Sequence, residues 1–154
     1  MGKISFARFI ATPPRRVFEI ASDFERAAGR ITSIQSLEVL TGGLIRKGTR
    51  FRVTRIASGH EATVEMAVTA FDPPISFQVG GTCDGCWYEV CLRFEPDGTG
   101  TNFVMEFGWK PMTLSVRLMS PLLDAKTRKC LKTCNQDLDE LKYAAEQPPL
   151  AKSA

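Results

Sequence analysis

Between Leu37 and Lys110 the sequence is cut by short glycine- or proline-bearing breaks into segments whose apolar residues alternate with polar ones. No other feature constrains the fold as much. Period-2 alternation belongs to half-buried strands, and connections this short belong to antiparallel hairpins. The breaks are Gly42-Gly43, Ser58-Gly59, Asp72-Pro73-Pro74, Asp84-Gly85 and Pro96-Asp97-Gly98. Their register can be tested, because a one-residue slip moves every side chain to the opposite face. With Asp84-Gly85 as a two-residue turn, Val79 faces Val90, Phe77 faces Leu92 and Ile75 faces Phe94. Gln78, Ser76, Glu89 and Arg93 then share the other face. With Phe71-Asp72-Pro73-Pro74 as a four-residue loop, Ala70 faces Ile75, Val68 faces Phe77 and Met66 faces Val79. With Ser58-Gly59 turning the preceding hairpin, Phe51 meets Met66 and Val53 meets Val64. On the polar side Arg52 meets Glu65, a favourable cross-strand charge pair. Phe103, Met105, Phe107 and Trp109 continue the apolar side on the last strand. Three turns chosen independently agree on one apolar and one polar face.

The flanks read differently. Lys3 to Ala11 is short and β-rich. Thr12-Pro13-Pro14 predicts a helix start with Thr12 as N-cap, and Val17, Phe18 and Ala21 form its apolar stripe. Asp23 is expected to cap a second short helical stretch ending near Gly29. Beyond Pro111 helical spacing returns. Leu131, Cys134, Leu138, Leu141 and Ala145 form one stripe of an amphipathic helix, with Lys129, Lys132, Asp139, Glu140 and Lys142 opposite. Leu114, Leu118 and Leu122 extend a stripe upstream, with a kink or helix start at Pro121. Residues 147–154, with Pro148-Pro149, are expected to be a flexible tail behind one domain over 1–146.

The length of 154 residues fits one domain, and 44% hydrophobic with 24% charged residues is the balance of a globular protein. No apolar run approaches the roughly 20 residues of a bilayer span, so integral membrane association is not expected. A net charge of +3 is too mild to argue for nucleic acid. The first ten residues do not read as a secretory signal. Five cysteines, an odd number, then suggest reduced thiols and a cytoplasmic location. The sequence carries no feature that sets an oligomeric state.

Seven strands make an α+β sheet about 30 Å wide, whereas one helix with its side chains is only about 10–12 Å across. A flat sheet would leave most of its apolar face uncovered. The sheet must therefore curl around the long C-terminal helix, with the two short helices after the first strand closing one end. This geometry favours a pocket. Its expected lining is Phe51, Val53, Arg55, Val64, Met66, Phe77, Val79, Tyr88, Val90, Phe103, Met105, Phe107 and Trp109 from the strands, and Leu118 and Leu122 from the helical side.

The chain resembles the SRPBCC superfamily (START-like, polyketide cyclase/dehydrase-like). The resemblance is carried by Ile10-Ala11-Thr12-Pro13-Pro14-Arg15-Arg16-Val17-Phe18 with Asp23, by Gly48-Thr49-Arg50-Phe51, by Phe71-Asp72-Pro73-Pro74, by Gly100-Thr101, and by Leu141-Lys142 with Glu146. It implies the helix-grip fold, a curved seven-stranded antiparallel sheet around a long terminal helix, with a hydrophobic ligand pocket between them. It does not imply one chemistry, because the superfamily includes lipid carriers, hormone receptors and aromatic-ring cyclases.

Candidate chemistry is sparse. Arg55 is the one charged residue on the inward face of the strands registered above. It could anchor a carboxylate or phosphate at the pocket mouth, or simply reach solvent from a strand end. Tyr88 faces Gly81, where the missing side chain leaves room, and its hydroxyl could donate to a ligand carbonyl or bond to backbone as a core tyrosine. Cys83-Asp84-Gly85-Cys86 is a CxxC that flanks a β-turn rather than opening a helix, against thioredoxin-like chemistry. The turn itself could act as a lid over the mouth. A four-thiolate zinc site would need Cys130 and Cys134, and unpaired thiols are the expectation. His60, the only histidine, reads as a solvated turn residue, and Glu106 as outward-facing. No phosphate-cradling glycine loop is present. Neither a metal nor a cofactor is expected. Three functions compete: a carrier of a small hydrophobic molecule such as a lipid, polyketide or aromatic metabolite; a cyclase/dehydratase-type enzyme in which Tyr88 or Arg55 polarises a carbonyl; and a protein-interaction module with a collapsed pocket.

Overall fold

The computed structural model describes the backbone of residues 2–57, 59–118 and 120–147, and within these the side chains of all but 57, 60, 116 and 120–132. The elements run β1 (Gly2–Ile10), α1 (Pro14–Ala21), a 3-10 turn (Phe24–Arg26), α2 (Ala27–Arg30), β2 (Ile34–Val39), β3 (Arg50–Ala57), β4 (His60–Asp72), β5 (Ser76–Cys83), β6 (Cys86–Asp97), β7 (Gly100–Pro111), α3 (Leu114–Leu118) and α4 (Ser120–Glu146). Seven antiparallel strands form one sheet in the order β1-β7-β6-β5-β4-β3-β2. Only β1 and β2 are edges, and the remaining strands follow as hairpins. This is the helix-grip arrangement.

Two of the three sequence-derived registers hold. Asp84 (φ 51°) and Gly85 (φ 75°) both adopt the left-handed conformation that a two-residue hairpin turn demands, and Val79–Val90 and Phe77–Leu92 pair across it. The β3–β4 hairpin pairs Phe51 with Met66, Val53 with Val64 and Arg55 with Ala62. Arg52 does stand opposite Glu65, but the ion pairs run elsewhere, from Arg50 to Glu65 (2.6 Å) and from Arg52 to Glu38 on β2 (3.4 Å).

The β4–β5 register differs from expectation. Val68 pairs with Val79 rather than Phe77, and a bulge between Val68 and Ala70 shifts the ladder so that Phe71 pairs with Phe77. The turn is tighter than a four-residue loop: the Ile75 N–H donates to the Asp72 carbonyl (2.8 Å), and Asp72 already pairs with Ser76. Upstream of the bulge the error is two residues, an even number, so Met66 and Val68 keep the inner face. Beyond it the faces exchange. Ala70 and Ile75 turn outward and Phe71 turns in against Phe18 (5.5 Å between ring centroids).

Thr12 does not cap α1, which starts at Pro14 with no side-chain cap bond. Its buried hydroxyl instead donates to the Ala145 carbonyl (2.9 Å), and its carbonyl accepts from the Thr101 hydroxyl (2.7 Å). Asp23 likewise makes no cap bond and pairs with Arg30 (3.4 Å) and Arg26 (3.8 Å). Thr12 is taken by a partner far along the chain, and Asp23 by arginines three and seven residues on.

The second half of α4 buries Leu138, Leu141 and Ala145, three of the five stripe residues; Cys134 is half-buried, and the Leu131 side chain lies outside the described residues. Pro121 is the second residue of α4 as described, and residue 119, between α3 and α4, lies outside the described residues. Of the expected tail only Gln147 lies within the described residues, and its carbonyl accepts from Arg16 (3.2 Å). Among the described residues no helix is long and apolar enough to cross a membrane.

Candidate functional site: the inner face of the sheet

Alternation places Ile4, Phe6, Arg8 and Ile10 of β1 on the same face as Phe103, Met105, Phe107 and Trp109 of β7, and that face continues through β6, β5, β4 and β3. It has two unlike ends.

At one end α1 and the 3-10 turn insert Phe18 and Phe24 among Phe51, Phe71, Phe77, Phe94 and Phe103. Ring centroids lie 4.8 Å apart for Phe24–Phe51, 5.1 Å for Phe18–Phe94 and 5.2 Å for Phe94–Phe103, in tilted or edge-on geometries that aromatic quadrupoles favour. Of these seven rings only Phe71 is not fully buried. With Val53, Val68 and Val79 also buried, this end is core.

The other end is apolar without being closed. Tyr88 pairs with Trp109 and Val90 with Phe107, and the rings of Tyr88 and Trp109 each lie 5.9 Å from that of Phe107. Tyr88, Val90, Leu92, Met105, Phe107, Trp109, Val64 and Met66 are all only partly buried. Gly2 faces Trp109 because no side chain would fit: a Cβ there would stand 2.0 Å from the indole ring. Gly81 does not leave room beside Tyr88 as expected. A Cβ at Gly81 would stand 2.7 Å from the Glu65 carbonyl oxygen and 3.0 Å from Met66 Cγ, so β4 already occupies that space.

Burial, and next the neighbouring Cys86 and Cys83 thiols, push the Tyr88 phenol well above its ordinary value of 10.0. Near neutral pH it is therefore a protonated O–H, a hydrogen-bond donor on an otherwise apolar wall.

Arg55 does not point a free guanidinium at the mouth: it stays half exposed to solvent while engaged with α4. It donates to Asp137 of α4 (2.9 Å) and to the Ser33 hydroxyl (3.2 Å), and Ser33 donates to the same carboxylate (2.6 Å). From the opposite edge of the sheet Arg8 of β1 donates to Asn135 (2.8 Å) and Asp139 (3.2 Å). Glu140 accepts from the Thr32 N–H (2.6 Å) and hydroxyl, and Lys142 donates to the Phe9 carbonyl (2.9 Å). The terminal helix is thus held from β1 on one side and from the β2–β3 side on the other. The sequence reading missed Arg8 and this clamp. The available signal was the alternation of Ile4, Phe6 and Ile10, which puts Arg8 on the apolar face.

Cys83 and Cys86 stand opposite each other beside the turn, without a disulfide, and Cys86 is buried. The turn is not a loose lid: the Gly85 carbonyl accepts from the Met112 N–H (2.8 Å). Among the described residues no three His, Cys, Asp or Glu side chains stand close enough to hold a metal. The side chains of Cys130, His60 and Leu122 lie outside the described residues. Leu118, expected as lining, is exposed on α3 instead. Glu106 lies on the outer face, where hydrogen bonds from Lys3 and then Arg93 hold its carboxyl below its ordinary value. A cleft of about 450 Å³ between α1 and the β4–β5 turn, lined in part by Arg15, Glu19, Pro73 and Pro74, is a groove on the outside of the phenylalanine end.

A sequence family described as polyketide cyclase / dehydrase and lipid transport matches residues 1–146. The chain belongs to that family. Solved structures agree on the fold. The Zhui aromatase/cyclase of a Streptomyces species superposes with a TM-score of 0.80 at 15% identity, covering 99% of this chain and 98% of that one. The Thermus thermophilus protein TTHA0849 gives 0.78 at 22% identity, covering 99% and 100%. A START superfamily protein from Mycobacterium smegmatis gives 0.74 at 15% identity, covering 94% and 97%. No curated protein sequence matches this chain.

Proposed function

We propose that the protein holds a small hydrophobic molecule between the Tyr88–Trp109 end of the sheet and α4. The observation that carries this reading is the half-buried state of that wall. Large apolar side chains left partly uncovered on a concave face cost free energy unless something apolar covers them. Membership of the polyketide cyclase / dehydrase and lipid transport family supports the same class of ligand. The Tyr88 hydroxyl is the orienting polar group, suited to a carbonyl or hydroxyl oxygen of the ligand.

Native mass spectrometry of the purified protein tests this directly. A co-purified apolar molecule, displaced when Val90 is enlarged to Phe, is the expected result. A ligand-free protein that also fails to bind an apolar fluorescent dye points to the collapsed interaction module.

A second reading, cyclase-type catalysis, is favoured by the same Tyr88, since a neutral phenol beside a bound polyketide could polarise its carbonyl while the wall folds the chain into position. Turnover of a polyketide substrate should then fall about 10²-fold or more in Tyr88→Phe. Unchanged turnover removes Tyr88 from catalysis. Arg55, engaged with Asp137, has no part in this reading.

A further inference from the structure

In the segment joining β7 to α4, three of the large apolar side chains described face solvent. Met112 is 58% exposed, Leu114 77% and Leu118 81%. Scattered exposed leucines are ordinary, but three such residues between positions 112 and 118 make a patch. Leu114 and Leu118 stand four residues apart on α3 and so share one helix face. The patch sits at the rim of the inner face, because Met112 is bonded to Gly85 of the β5–β6 turn and follows directly on the Trp109 end of β7.

The charge around it selects the partner. Lys110 and Arg117 are exposed beside the apolar tips, and the sequence from Phe107 to Leu123 contains no aspartate or glutamate. The opposing charge is Asp84, exposed on the adjoining turn. Apolar tips flanked by cations match an anionic lipid surface, where the tips enter the boundary between headgroups and acyl chains while the cations stay at the phosphate level. We infer that residues 110–118 dock this protein on an anionic bilayer surface through Met112, Leu114 and Leu118, with Lys110 and Arg117 reading the headgroup charge. Docking is peripheral and stands without any ligand in the cavity. On the ligand-holding reading it turns the mouth of the cavity toward the bilayer.

Sedimentation with vesicles tests this. The full chain should pellet with vesicles of phosphatidylcholine and phosphatidylserine, pellet less with phosphatidylcholine alone, and lose binding as salt rises. Leu114→Ser with Leu118→Ser should weaken binding about tenfold or more, and Lys110→Glu with Arg117→Glu about tenfold on anionic vesicles only. Asp84→Asn should strengthen it roughly threefold. All these side chains are exposed, so circular dichroism and melting should stay near wild type. Wild type that ignores anionic vesicles, or a leucine variant that binds as well as wild type, overturns the inference. So does gel filtration showing a wild-type dimer that the leucine substitutions dissociate, since a second copy would then cover the patch. The wild-type comparison of lipids and salt needs no variant, and its outcome is independent of whether mass spectrometry finds a bound molecule.

Discussion

The two ends of the inner face are made of the same kinds of residue and differ in what reaches them. Phe94 and Phe103 at one end, and Val90, Phe107 and Trp109 at the other, come from the same two strands in the same alternation. At the first end α1 and the 3-10 turn bring Phe18 and Phe24 between the strands' own rings, and burial is nearly complete. At the second, the ring contacts of Phe107 are with its neighbours in the sheet, and the wall stays half open. A concave sheet cannot fill its own hollow, because adjacent side chains on one face point the same way. Whether a stretch becomes fully buried core or stays partly exposed is decided by the element laid across it.

Large-to-small substitutions should separate the ends most sharply. Phe103→Ala, in the packed end, should destabilise by about 3–5 kcal/mol, and Trp109→Ala by less than half of that, in urea unfolding. Equal losses would break the comparison, since the Trp109 end would then be packed too. Enlarging a residue probes the opposite property. Val68→Phe, in the buried end, should cost about 1–3 kcal/mol from overpacking, while Val90→Phe should leave stability within about 1 kcal/mol and abolish binding of an apolar dye. A heavy stability cost for Val90→Phe would mean the space beside it is already filled.

Smaller effects test the clamp that holds α4 against the sheet. Arg55→Ala should cost about 1 kcal/mol or less, because the Arg55 guanidinium is half exposed although Asp137 is not, and dye binding should not change. Loss of dye binding with intact stability would return Arg55 to the pocket. The smallest effect is in acid. Burial works against ionisation of Glu140, but hydrogen bonds from the Thr32 hydroxyl and N–H, and from Gln136, outweigh it and hold its carboxyl below the ordinary 4.5. At Glu146, hydrogen bonds from Lys142 and the Ala11 N–H act in the same direction. A depressed folded-state value contributes stability that is complete above the unfolded value and lost as pH falls through the folded one. Melting temperature should therefore decline as pH drops below about 4.5, and less steeply in Glu140→Gln. An unchanged slope would detach Glu140 from the docking of α4.

Much of the strand arrangement was legible because turn chemistry and alternation are local. Asp84-Gly85 specifies its own backbone conformation, and the pairs across it follow. The β4–β5 register was not legible, since no residue in Phe71-Asp72-Pro73-Pro74 announces the bulge at Thr69 or the tighter turn. Arg55 was correctly placed on the inner face and wrongly paired. Its partner Asp137 lies 82 positions away, on a helix whose rotation over the sheet local pattern does not state. The same distance hid Thr12, whose hydroxyl prefers a carbonyl 133 positions on to the helix beside it.

Local sequence, then, determined the number of strands, most of their pairings, which face is apolar, and the existence of a terminal amphipathic helix. These depend on side-chain period and turn conformation, both properties of a few consecutive residues. Tertiary structure alone decided which part of the apolar face is fully buried and which stays partly exposed, what the inward arginines hold, and that Met112, Leu114 and Leu118 remain uncovered. Those outcomes depend on where the helices come to rest against the curved sheet, a balance of burial and hydrogen bonding summed over residues far apart in the chain.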